Sequence, residues 1–168
     1  MNLVDFLKER AKEFRNKFFL WEERKSLTYQ EFDLITDRLA AGLQSIGLKK
    51  GDHAAVLFPN SLDTLLCYFS IIKAGGTVIP INSLYTPREI AFILNNSESK
   101  YLLAAGQFQK TIEGIRPKVP KLNLAVFRQK EDHSILQAVE RLAISAGSLK
   151  PVDLSTGDKA IIFYTSGT

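Results

Sequence analysis

Short apolar runs alternate along this chain with segments of helical periodicity, and that alternation restricts the fold more than any other feature. The runs are His53–Phe58, Thr77–Ile81, Tyr101–Ala104, Leu124–Phe127 and Ala160–Tyr164. Helical segments separate them: Asn60 or Ser61 to Ala74, Pro87 to about Asn96, Phe108 to Ile115, and Ser134 to Ala146. Strands joined by helices of crossover length predict an α/β domain, layered, with a mostly parallel sheet flanked by helices. The segment Leu62–Ala74 is apolar nearly all round (Leu62, Leu65, Leu66, Phe69, Ile71, Ile72), which places it between layers rather than on the surface.

The first fifty residues prepare that pattern. Leu3, Phe6, Leu7, Ala11 and Phe14 share one helical face, so residues 2–15 read as an amphipathic helix. Phe18–Trp21 reads as a short strand. Thr28 stands three residues before Glu31, a capping box at the head of a helix that carries Phe32, Ile35, Leu39, Leu43 and Ile46 and stops at Gly47. Thr86-Pro87-Arg88-Glu89 is a second box, with Pro87 at the favoured first helical position. Pro151–Gly157 reads as a polar linker.

Composition excludes several classes. At 168 residues, 45% hydrophobic and 24% charged, the chain has the material for one core. No apolar run reaches the roughly 18 residues of a membrane helix, and the N-terminus is not a signal peptide. The lone Cys67 excludes a disulfide scaffold and fits a reducing cytoplasm. The surplus of bases over acids, 22 to 18, is mild, and no aromatics interleave with the bases as on a nucleic-acid platform. Peripheral contact with a membrane stays open.

Few residues can carry chemistry. His53 and His133 are isolated, with no second metal ligand at a motif spacing, so no metal site is assigned. No G-x-S-x-G elbow surrounds Ser166, and neither the dinucleotide fingerprint nor the complete P-loop is present. There remains Thr165-Ser166-Gly167-Thr168 after the apolar run. Gly167 lets backbone N–H groups converge on an anion, and the hydroxyls add donors. Taken alone, such a stretch is an ordinary Ser/Thr/Gly turn.

Its context is more specific. "LTYQEF" (Leu27–Phe32), "IKAGGTVIPIN" (Ile72–Asn82) and "IIFYTSGT" (Ile161–Thr168) resemble, in order, three core motifs of the acyl-adenylate-forming superfamily of AMP-binding enzymes. "GLKKGDHAAVLFPNS" (Gly47–Ser61) is also typical. The resemblance runs from about Ser26 to the end. It implies that residues 1–168 are a partial N-terminal α/β domain of a longer enzyme, ending within its phosphate loop. It implies Thr165, Ser166, Gly167 and Thr168 as ATP-phosphate residues, with no catalytic residue in this stretch. The implied cofactors are ATP, Mg²⁺ and CoA. "NSLYTPREIAFILNNSESKYLL" (Asn82–Leu103) looks most like long-chain fatty acid–CoA ligases, although Ser83 replaces their usual proline. Aryl-CoA ligases and other adenylate-forming enzymes stay open, as does a non-catalytic binding or interaction module. The chain alone is expected to be inactive and to self-associate, because a subdomain of this kind leaves surface for the rest of its enzyme to cover.

Overall fold

The computed structural model describes residues 1–23, 25–143 and 147–165. It holds an amphipathic helix α1 (Leu3–Glu13), a hairpin of β1 (Phe18–Glu22) and β2 (Lys25–Thr28), and helix α2 (Tyr29–Ser45). Four strands come next, β3 (His53–Leu57), β4 (Thr77–Pro80), β5 (Tyr101–Ala105) and β6 (Leu124–Arg128). They alternate with α3 (Leu62–Lys73), α4 (Pro87–Asn96) and α5 (Gln109–Ile115), and α6 (Ile135–Glu140) closes the series. The strands form one parallel sheet in the order β4-β3-β5-β6. The expected α/β layering is therefore present.

Strand alternation divides the core in two. Ala54, Val56, Val78, Tyr101, Leu103 and Val126 face α1, α2, α3 and α6. Ala55, Leu57, Ile79, Leu102 and Ala104 face α4 and α5. The period of two along each strand sends neighbouring residues to opposite layers, and both layers are apolar because both faces are covered. No residue of α3 is exposed, as its all-round hydrophobicity predicts. Its outer side is covered within this chain, chiefly by α2. Phe32 of α2 is fully buried and meets Phe69 of α3 edge-on at 5.2 Å and Phe19 of β1 at 5.0 Å.

Both capping boxes form. Thr28 Oγ1 accepts from Glu31 N at 3.2 Å, and Glu31 Oε2 accepts from Thr28 N at 2.8 Å. At α4, Thr86 Oγ1 accepts from Glu89 N at 3.4 Å, and Glu89 Oε2 accepts from Thr86 N at 2.7 Å. Helix α3 starts differently. Ser61 occupies the cap position but its side chain makes no cap bond; instead Glu22, from the hairpin, accepts from Leu62 N at 3.2 Å.

Four local expectations change. Residues 25–28 pair with β1 as a second strand, which Thr28's role as a cap conceals. Among the described residues the run Ala160–Tyr164 makes a single parallel bridge, Val78 with Ile161, beside β4, so it is an attached segment rather than a full strand. Helix α6 ends at Glu140, short of the expected Ala146, which lies outside the described residues. The expected linker is pinned to the body by Gln44, Lys50 and Asn2.

Candidate functional site

All four strands and the attached segment run in one direction, so their carboxyl ends meet on one side of the molecule. Strand β3 leads there to α3 on one face of the sheet, and β5 leads to α5 on the other. Such a reversal leaves a crevice at the carboxyl ends of the strands, the usual ligand position in open α/β sheets. A cleft of about 550 Å³ opens beside it, on the β4 side. Its floor is Val56, Phe58 and Pro80, and Leu84 and Phe163 stand at its wall.

Its polar lining is neutral. Asn60, Thr64, Tyr68, Asn82, Ser83 and Tyr85 contribute amides and hydroxyls, and no Lys, Arg, Asp or Glu lines it among the described residues. Asn82 Oδ1 accepts from Leu84 N at 2.9 Å, which folds the loop after β4 over the cleft. Burial raises the Tyr68 phenol above its ordinary value, as it does that of Tyr164. Both are neutral hydrogen-bonding groups at physiological pH.

The segment Ala160–Tyr164 brings Thr165, the first residue of the sequence-predicted loop, to this edge. Ile162 N donates to Val78 O at 2.9 Å, and Val78 N donates to Ala160 O at 2.9 Å. Ile161 packs toward the first core, and Ile162 and Tyr164 toward the second. Thr165 then emerges exposed, directly after two residues that line the cleft. Ser166, Gly167 and Thr168 lie outside the described residues.

The histidines keep structural places. His53 Nδ1 lies 2.5 Å from Ser97 O, tying the start of β3 to the end of α4, and His133 is exposed before α6. Among the described residues no group of three His, Cys, Asp or Glu side chains could hold a metal ion. Cys67 is fully buried, and desolvation, with a smaller push from Asp63, raises its thiol well above the usual range. It is not a nucleophile.

A charged cluster behind α3 went unseen in the sequence. Asp63 is buried in the first turn of α3. Its Oδ1 accepts from Ile135 N at 2.9 Å, and its Oδ2 lies 2.8 Å from Arg128 Nε at the end of β6. Burial raises its carboxyl, and the Ile135 N–H and Arg128 oppose that rise. These partners are 72 and 65 positions away in sequence, so no local pattern could reveal them. The cluster fixes α3, β6 and α6 around the crevice without entering the cleft.

The family description "AMP-binding enzyme" matches residues 7–168. The long-chain-fatty-acid–CoA ligase FadD13 of Mycobacterium tuberculosis is 30% identical over 142 residues, 84% of this chain and 27% of that protein. A long-chain-fatty-acid–CoA ligase of Escherichia coli is 29% identical over 195 residues, 99% of this chain and 35% of that protein. The chain thus spans about a third of the length of these curated relatives. Among solved structures, the N-terminal domain of FACL13 from Mycobacterium tuberculosis superposes with a TM-score of 0.86 at 26% identity, covering 99% of this chain and 42% of that one. The anthranilate CoA ligase AuaEII in complex with anthranoyl-AMP gives 0.87 at 23% identity, covering 99% of this chain and 32% of that one. With three ordered motifs, the parallel sheet and a match over nearly its whole length, the chain belongs to the AMP-binding enzyme family.

Proposed function

We propose that this chain is the first α/β unit of an ATP-dependent fatty acid–CoA ligase and carries the start of its phosphate loop. The observation that supports it most is the position of Thr165. It leaves the sheet at the carboxyl edge, beside a neutral cleft, in a chain whose relatives include long-chain-fatty-acid–CoA ligases.

The reaction has two steps. A carboxylate oxygen attacks the α-phosphorus of ATP, the bond to the β-phosphate oxygen breaks, and pyrophosphate leaves. The CoA sulfur then attacks the acyl carbon of the acyl-adenylate, the acyl C–O bond breaks, AMP leaves, and the thiol proton passes to solvent or a base. This chain contributes electrostatics to the first step. The hydroxyls of Thr165, Ser166 and Thr168 donate to the β- and γ-phosphate oxygens, and Gly167 brings backbone N–H groups close, so charge moving onto the leaving pyrophosphate meets donors already in place. Mg²⁺ offsets phosphate charge when bound. None of the described residues is assigned to it; they form no group of three His, Cys, Asp or Glu side chains that could hold a metal ion. The single cysteine, Cys67, fits a reducing, cytoplasmic setting.

The 168-residue chain alone is inactive in this reading, because a third of a relative's length supplies the phosphate loop's start and little of the remaining machinery. It also self-associates: Phe163 is 68% exposed, and the outer edge of residues 160–162 pairs with no other strand among the described residues. Sedimentation that shows a monomer across a wide concentration range contradicts that part.

The test of the reading is ATP–pyrophosphate exchange by the natural polypeptide carrying this chain, with fatty acids of several lengths and with aryl acids. Exchange stimulated by fatty acids is expected. Stimulation by aryl acids alone replaces the substrate class, and none with any acid overturns the enzyme reading.

A further inference from the structure

Residues 149–158 cross the amino-terminal end of the sheet, opposite the cleft, and three side chains fasten them there. The Gln44 amide pairs with both backbone groups of Lys150, donating to its O at 3.0 Å and accepting from its N at 2.9 Å. Asn2 Nδ2 donates to Leu154 O at 2.9 Å. Lys50 grips both ends of a turn: its ammonium donates to Asp153 O at 2.5 Å and lies 2.9 Å from Asp158 Oδ2. The same Asp158 carboxylate accepts from Ser155 N at 2.7 Å, closing the turn from inside. Those bonds, the backbone one first and Lys50 next, hold the Asp158 carboxyl below its usual range.

Gly75 of the "IKAGG" motif forms the seat for this strap. Gly75 has φ +93°, and a Cβ there would lie 2.9 Å from Val152 Cγ1 and 3.0 Å from Lys50 Cα. Gly51 N donates to Gly75 O at 2.9 Å, so the loop that carries Lys50 is bonded to the seat itself. Motifs that read in the sequence as helix ends and tight turns thus converge on one strap.

The segment after the strap needs outside help to keep its register. Thr77 Oγ1 donates to Lys159 O at 3.1 Å, and residues 160–162 hold β4 by the two backbone bonds to Val78 alone. Two backbone bonds leave the register to be shared among the packing of Ile161 and Ile162, the bond from Tyr164 Oη to Asn96 Oδ1 at 2.8 Å, and the strap. A slip of one residue would turn Ile162 from the second core to the first and move everything after it by about 3.3 Å, the rise of a strand residue.

We propose that Lys50 is a positioning residue for Thr165: by latching the strap at Asp153 and Asp158 it helps set the register of Ala160–Ile162 on β4 and so the placement of the Thr165 hydroxyl. The positioning role rests on the phosphate-loop reading, whereas the register effect stands independently.

The experiment uses the natural polypeptide with Lys50→Ala, Lys50→Arg and Asp158→Asn. Two quantities are read: amide exchange at Ile162 and Val78, with Leu103 of β5 as internal reference, and affinity for inorganic pyrophosphate. Lys50→Ala speeds exchange at Ile162 and Val78 roughly three- to tenfold, the loss expected for one part-exposed charge-assisted bond. Leu103 stays unchanged, and pyrophosphate binding weakens over the same range. Arginine, whose fork reaches both acceptors, restores both quantities. Asp158→Asn, which keeps the bond to Asp153 O, gives a smaller change in the same direction. Exchange at Ile162 that is unaltered, or that rises together with Leu103, overturns the latch. Faster exchange at Ile162 with unaltered pyrophosphate affinity overturns the positioning role. Absence of pyrophosphate binding by the parent protein removes the phosphate-loop reading, and the register effect is then decided by exchange alone.

Discussion

Lys73 ends an apolar helix yet its side chain has no exposure at all. Its ammonium has three protons and three acceptors: Asp33 O at 2.9 Å, Asp33 Oδ1 at 2.5 Å and Asp37 Oδ1 at 2.7 Å. The two carboxylates sit one turn apart on α2, where like charges repel without a cation between them. They are also less buried than their partner, at 19% and 35% side-chain exposure. This asymmetry makes the outcome depend on which side is removed. Asp33→Ala with Asp37→Ala strands a fully buried ammonium on a single carbonyl, and breaking a buried pair in this way costs about 3–5 kcal/mol. Lys73→Met keeps volume and fills the site with carbon, while both carboxylates can draw on water, so the loss is about 0–1.5 kcal/mol. With a urea slope of roughly 2 kcal/mol/M, the double aspartate variant shifts the midpoint down by about 1.5–2.5 M and Lys73→Met by less than about 0.8 M. Urea unfolding at pH 7, followed by Trp21 fluorescence and by circular dichroism, measures both. A Lys73→Met variant as unstable as the double aspartate variant would refute the desolvation argument.

Two further outcomes concern the helix caps. Thr28→Ala and Thr86→Ala each lower stability by about 1 kcal/mol, since each removes a cap oxygen seen accepting from the third helical N–H; urea midpoints equal to the parent's would contradict this. The cap bonds from Thr28 and Thr86 hold Glu31 and Glu89 below their ordinary 4.5, so their stabilisation is present above pH 4.5 and is lost as pH falls through the lower folded-state values. Glu31→Gln and Glu89→Gln together therefore flatten the acid limb of stability against pH, and an acid limb as steep as the parent's would exclude these groups as its source. Asp63 acts oppositely: its raised carboxyl costs stability in the charged form, and that cost is relieved as pH falls toward 3.8.

The layered sheet was legible because both periods are strong here. Strands buried on two faces read as continuous apolar runs, and α2 and α4 carry their own start signals in Thr28 and Thr86. The features that escaped are long-range. Strand β2 is four residues long and its last residue is also the cap of α2, so one signal hid the other. Lys73 looks like an ordinary cationic helix terminus until α2 is laid across it, 36 and 40 positions earlier in the chain. The run Ile161–Tyr164 has the composition of a strand, but pairing is decided by its neighbours, and among the described residues only Val78 bridges it. For the site, Thr165 could be singled out from its residue type and motif. The neutrality of the adjoining cleft could not, because Asn60, Asn82 and Tyr85 come together only after β3 and β4 are set side by side.

The proposed role of Thr165, Ser166 and Thr168 is to stabilise charge on the leaving pyrophosphate. Its most direct measurement is the rate of fatty-acid-dependent ATP–pyrophosphate exchange by the natural polypeptide carrying Thr165→Ala, Ser166→Ala or Thr168→Ala, each checked for an unchanged urea midpoint. Each lost donor to a charged phosphate is worth on the order of 1.5–3 kcal/mol, so exchange falls about ten- to a hundredfold in every variant while the fold is kept. Exchange at the parent rate in all three would show that the stretch is only a turn after Tyr164.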